Sequence, residues 1–246
     1  MRFTRLKVMM LLLGFWGTAS YAAAAAEVLP DWFLPLREAV YEQKLTADGM
    51  APLYRETKRQ AEEHLSAREL DLMLSRCEYM MGRVYLYDGR KEEALSHFEE
   101  GMALAQRSLD SEASPEGWVM LAENLSQSCS IRSVGYVMRN GLNVERYAKN
   151  ALALDSGNTA AQILIASRGV YAPSPLNNLR RGIQMMEDIL NNFEIRLQKD
   201  DRFNVCVALA YAYVQQKKPL DAKAWLERSL AVYPSNQYAR ELLDKI

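Results

Sequence analysis

The chain has 246 residues, 49% apolar and 25% charged, with a formal net charge of −1. That is the balance of a globular protein and excludes wholesale disorder, and near-neutrality leaves no basic footprint for nucleic acid. Only 12 Gly and 8 Pro disfavour an all-β protein built on many tight turns.

The first residues form a separate object. Arg2, Arg5 and Lys7 precede the apolar run VMMLLLGFW, and small residues follow before Glu27. This is the layout of an export signal, with cleavage expected after Ala22, Ala24 or Ala26. The alternative is an uncleaved anchor, because Val8 to Ala26 carries no charge and is just long enough to span a bilayer. Loss of residues 1–26 removes three positive charges and leaves a net −4. No later stretch is long and apolar enough for a membrane span. The expectation is a chain exported across the inner membrane into the periplasm, without a stable span after processing.

Downstream, apolar residues recur at spacings of three and four, the period of helices. Residues 31–66 read as a first helix pair, WFLPLREAVYEQ and APLYRETKRQAEEHL. The second pair, near 71–107, contains Met81-Gly82-x-x-Tyr85, an Asp88-Gly89 turn, and Ala94-x-x-x-Phe98. Two helices joined by so short a turn lie antiparallel. Their backbones should meet where side chains are smallest, at Gly82 and Ala94, with Tyr85 and Phe98 filling the wedges beside the crossing. The third pair, 116–155, starts with Trp118 and Ala122 and resumes at Val144; ten extra residues fall near 131–142 and lengthen the helices or make a long turn. The fourth, 159–193, sets Ala166 against Gly182, with four extra residues near 172–178 in APSPLNN. The fifth, 203–233, repeats the second: Ala210, Tyr213 and Ala222, with the same spacing of 12 between small residues, then Pro234 and a final helix over 236–246.

This recurring small-and-large pattern resembles the tetratricopeptide repeat, a helix-turn-helix unit of 34 residues. The resemblance implies an all-α fold, an α-solenoid of five stacked antiparallel helix pairs over 27–246 with a C-terminal capping helix. It also implies a concave groove lined by the first helix of each pair, where such repeats bind protein segments. On this pattern the groove residues are Tyr79, Arg83 and Tyr87, then Val119, Glu123 and Gln127, then Ile163, Ser167 and Tyr171, and finally Val207, Tyr211 and Gln215. The Lys and Asn set with which some members clamp a terminal carboxylate is missing from these positions. The implied work is that of a non-enzymatic scaffold holding a protein or peptide partner in the cell envelope. The alternative is an accessory of a solute transporter that associates with a substrate-binding protein or encloses an apolar passage. A homo-oligomer is compatible with the sequence but not indicated by it.

Chemistry-bearing motifs do not appear. There is no HExxH, GxSxG, Walker loop, GxGxxG or CxxC, so no catalytic residue, metal or cofactor is expected. His64 and His97 read as solvated helix residues. Cys77, Cys129 and Cys206 read as buried free thiols, with one disulfide as the alternative. Asn124-Leu125-Ser126 has the spacing of a glycosylation acceptor but falls mid-helix, where it is expected to be coincidental. The irregular segments near 172–178 and around Tyr136 to Arg139 are either structural or partner-contacting.

Overall fold

A computed structural model describes residues 29–174, 176–192 and 197–246; the expected export signal lies outside them. Every regular element among the described residues is helical, in the order α1 (Leu34–Glu42), α2 (Ala47–His64), α3 (Ala67–Tyr87), α4 (Lys91–Ser111), α5 (Pro115–Ile131), α6 (Val134–Leu154), α7 (Thr159–Tyr171), α8 (Leu179–Asn191), α9 (Lys199–Gln215), α10 (Pro219–Val232) and α11 (Gln237–Asp244). Consecutive helices pair, and the odd-numbered helices α1, α3, α5, α7 and α9 also touch in series. The molecule is an α-solenoid whose inner layer is the first helix of each pair. No helix among the described residues is long and apolar enough to cross a membrane.

Local chemistry accounts for the boundaries. The α2 start falls at Ala47 instead of the expected Ala51, because Thr46 caps it by accepting from the Gly49 N–H and the Asp88 carboxylate accepts from the Ala47 N–H at 2.6 Å. Ser66 and Glu69 form a capping box that opens α3. Gly89, at φ 76, closes the α3–α4 turn in the left-handed region, and the Arg90 N–H donates to the Tyr85 carbonyl. The Gly89 N–H also donates to the Leu86 carbonyl, and the equivalent turn between α9 and α10 repeats both bonds, Lys217 N–H to Val214 and Lys218 N–H to Tyr213, but a lysine at φ 59 does the glycine's job. The extra residues near 131–142 become the first turns of α6. They leave Val134, Met138 and Leu142, four apart, exposed on one outward face. Those near 172–178 form the α7–α8 loop, which is tied back by the Asn178 N–H to the Gly169 carbonyl before Asn178 caps α8.

The expected crossing residues Ala94, Ala122, Ala166, Ala210 and Ala222 are all fully buried. The packing at Gly82 differs from the expectation in one respect. The Phe98 ring lies directly on Gly82, so close that a Cβ there would sit 2.5 Å from the ring, whereas Tyr85 keeps an outer edge in solvent between His97 and Arg90. Large covers small, instead of standing a turn away. In the fourth pair the backbones themselves meet: a Cβ on Gly182 would lie 3.1 Å from the Ala166 carbonyl, and one on Gly169 would lie 3.0 Å from the Gly182 Cα. Trp118 stacks on Tyr147 across the third pair, and the Tyr213 hydroxyl donates to Glu187. Pro234 sits in the α10–α11 turn, where its carbonyl accepts from Arg240.

The sequence suggested stacked pairs with an accessible concave groove, and here the structure departs from it. Helix α1 touches the far end of the array. Arg37 faces Asp200, Lys199 pairs with Glu38 at 2.6 Å, and the Tyr41 hydroxyl accepts from Asn204 at 2.9 Å. The early residues of α1 meet the early residues of α9 and the late ones meet the later, so the two run parallel. Tyr41 stacks on Tyr233 and meets the edge of Phe203, while Asn236 and Ser235 donate to carbonyls at the end of α1. First and last repeats thus share one apolar cluster. Five pairs curl into a closed ring.

Candidate functional site

Closure sorts the groove residues by depth. Tyr79 and Arg83, both expected on an accessible face, are buried, with 7% and 6% of their surface exposed. The cause is α1, whose Tyr41 ring covers the Arg83 guanidinium at 4.4 Å. Val119, Ile163 and Val207 are buried too, each in a different apolar cluster between helices. Val170 is buried beside Ile163. Glu123, Gln127 and Ser167 are half-buried, and Gln215 is exposed.

Among the described residues, the exposed members of the groove set gather at one mouth of the ring, where the inner helices end. Tyr87 of α3 and Tyr171 of α7 are exposed at 41% and 46%, and Tyr211 of α9 lies against Tyr171 with ring centres 5.0 Å apart. Tyr238, from the capping helix, is 39% exposed. Its phenol and those of Tyr87 and Tyr211 act electrostatically on Tyr171, whose hydroxyl pKa is raised well above the usual range by burial first and then by these neighbours. Tyr87, Tyr171 and Tyr238 thus each keep an exposed face at this end of the ring. Beside the mouth, a cleft of about 140 Å³ runs between α1 and the end of α3, lined by Val40, Gln43, Val84, Tyr87 and Asp88.

Beneath the mouth lies Arg83. It donates to the Tyr87 hydroxyl at 2.7 Å and has the rings of Tyr41, Tyr79 and Tyr87 around it. Deeper and toward the opposite mouth is an acidic group. Asp201 has its carboxyl pushed up to about 8, first by burial and then by Asp200 and Glu123.

Between α2, α3 and α4 is a second polar cluster that the sequence did not suggest. The Glu78 carboxylate is buried and accepts from Tyr54, from Lys58 at 2.9 Å and from His97 Nδ1 at 2.6 Å. Burial works against its charge, but those three donors hold its pKa below the usual carboxylate value. His97 is therefore not a solvated residue: it is wedged between Tyr85 and Tyr54. His64 is exposed, as expected. Asn124 is completely buried, where it donates to the Met120 carbonyl and packs against Gly101; no glycan could be attached there. All three cysteines are free, with Cys77 and Cys206 buried and Cys129 half-buried. Among the described residues no group of three or more His, Cys, Asp or Glu is placed to hold a metal.

Tyr41 and Tyr238 are the mouth and channel residues that the sequence reading did not single out. Carrying the inner-helix register back into the first pair would have reached Tyr41; nothing local marks Tyr238.

The architecture defines a class: a helical-repeat solenoid closed into a ring, with an aromatic mouth assembled from three repeats and the cap. Residues 80–116 and 203–236 each match a family model described as tetratricopeptide repeat, the first covering the end of α3, α4 and the start of α5, the second α9, α10 and the turn with Pro234. Both segments are similar to tetratricopeptide repeats, units that build protein–protein interaction scaffolds. No curated protein matches the chain.

Proposed function

We propose that the protein is a non-enzymatic interaction scaffold of the cell envelope, and that it engages a segment of another envelope protein at the tyrosine mouth. The observation that carries this reading is the convergence of Tyr87, Tyr171, Tyr211 and Tyr238 from separate helices onto one end of the ring. Tyrosine gives a large amphipathic contact area at low conformational cost, which is why it concentrates where partners bind. Gln127, Ser167 and Gln215 supply polar contacts from the same inner helices. Tyr79 and Glu123 serve the ring from within.

The envelope address rests on the basic, apolar and small-residue order of residues 1–26. The transporter-accessory reading needs Val119, Ile163, Val170 and Val207 to line one dry passage. Their separation into three packed clusters favours the scaffold.

Affinity capture of the processed chain from its own envelope fraction tests the proposal. A protein partner should be recovered and then lost on Tyr171→Ala and Tyr211→Ala. Recovery of small molecules only, or capture unchanged by both substitutions, overturns it. N-terminal sequencing of the same material should start at residue 23, 25 or 27.

A further inference from the structure

Arg83 presents an imbalance. The residue is buried, with only 6% of its surface exposed, yet among the described residues its electrostatic neighbours are tyrosines and not a carboxylate. Its partners are three aromatic faces and one phenol oxygen, and Nη1 has no hydrogen-bond partner at all. Aromatic faces offset part of a cation's desolvation, but they do not accept its N–H groups. A buried charge is ordinarily paired, and a buried donor left unmade costs free energy that native structures seldom tolerate without a reason. Single polar atoms such as Asn124 Oδ1 and Ser128 Oγ also lack partners, but the other buried charges among the described residues are paired: Glu78 has three donors and Arg37 faces Asp200.

We infer that Arg83 and the tyrosine mouth form a binding site for a carboxylate borne on an aromatic or apolar group. The guanidinium fork suits a carboxylate. Tyr87, already bonded to Nη2, stands exposed between Arg83 and solvent and is the side chain that yields to admit the ligand. The paired rings of Tyr171 and Tyr211 offer faces for the ligand's apolar part. A single negative charge fits better than two, because Asp200 lies close enough to act on Tyr41 and Glu123 on Tyr79, the two rings packed against Arg83. The carboxylate belongs either to a small acid or to the end of a protein segment; the second case rests on the scaffold reading above.

The test uses the full chain and two matched pairs of probes in calorimetric titration: phenylacetate with phenylacetamide, and a short peptide ending in phenylalanine as free acid and as C-terminal amide. In at least one pair the acid should bind tenfold or more tighter than the amide. Arg83→Gln should erase that preference, and Tyr171→Ala, at the exposed rim, should weaken the acid tenfold even if Arg83→Gln fails to fold. Preference for phenylacetate as strong as for the peptide assigns the site to small acids; preference in the peptide pair alone assigns it to a segment's terminus. Equal binding of acid and amide, no binding of either acid, or a preference surviving Arg83→Gln overturns the inference. The two readings fail separately. Partner capture lost on Tyr171→Ala with acid and amide bound alike removes only the carboxylate, and acid preference with no captured protein removes only the scaffold.

Discussion

Gly82→Ala is the sharpest perturbation of the repeat packing. A methyl at that position would meet the Phe98 ring at 2.5, 2.8 and 2.9 Å, well inside van der Waals contact. Phe98 is itself fully buried, with the Tyr79 ring 6.4 Å away, so it has little room to retreat. Overpacking of this kind costs about 1–3 kcal/mol. Against it stands the helix propensity gained on replacing glycine by alanine, about 0.8–1 kcal/mol. The net expectation is destabilisation by about 0–2 kcal/mol, and a melting temperature lower by about 2–4 °C for each kcal/mol in a chain of this size. Thermal melts followed by circular dichroism measure it. The background Phe98→Leu should reverse the sign, since the smaller side chain vacates the space that the methyl needs and the propensity gain then stands alone. A Gly82→Ala effect that is the same in the parent and the Phe98→Leu background would refute ring-over-glycine packing between α3 and α4.

Ala94→Leu should likewise overpack its crossing by about 1–3 kcal/mol, whereas Tyr85→Ala should cost less than the ~3–5 kcal/mol of a fully buried ring, because Tyr85 keeps an edge in solvent; urea unfolding distinguishes the two. Tyr41→Ala should open the ring, and hydrogen exchange should rise together in α1, α9 and the α10–α11 turn; a rise confined to α1 and α2 would contradict closure. Stability should fall as pH rises from the ordinary carboxyl pKa toward 8, since folded Asp201 holds a proton that the unfolded chain releases. Asp201→Asn should flatten that slope, and a profile unchanged by the substitution would remove Asp201 as its cause. Glu78 acts in the opposite direction: its depressed folded pKa adds stability above the ordinary value that is lost on acidification, and Glu78→Ala, which strands Lys58 and His97, should cost about 3–5 kcal/mol at neutral pH. Lys217→Gly should raise stability by about 0.5–1 kcal/mol by relieving a left-handed lysine, measurable as a shift of the urea midpoint.

The helices, their pairing and the crossing alanines follow from the sequence alone. A period near 3.6, the spacing of Ala94 from Gly82 and of Ala222 from Ala210, and the Asp88-Gly89 turn are all local signals, each carried within one helix pair. Residues whose surroundings come from a third helix behaved differently. His97 reads as a surface residue between acids in sequence, yet Glu78 and Tyr54 arrive from α3 and α2 to enclose it. Asn124 reads as a helix face and is buried against Gly101 of the preceding pair.

Ring closure is the extreme case. Whether Tyr79 and Arg83 face solvent depends on the summed rotation of five stacked pairs, including the lengthened α6 and the α7–α8 loop, and on where α1 consequently lands. Small angular increments at each interface accumulate, so no short window of sequence holds the answer. Composition, period and spacing determined that this chain stacks helix pairs; only the tertiary structure decided that the stack meets its own end, buries the lower groove under Tyr41 and leaves one tyrosine-lined mouth open.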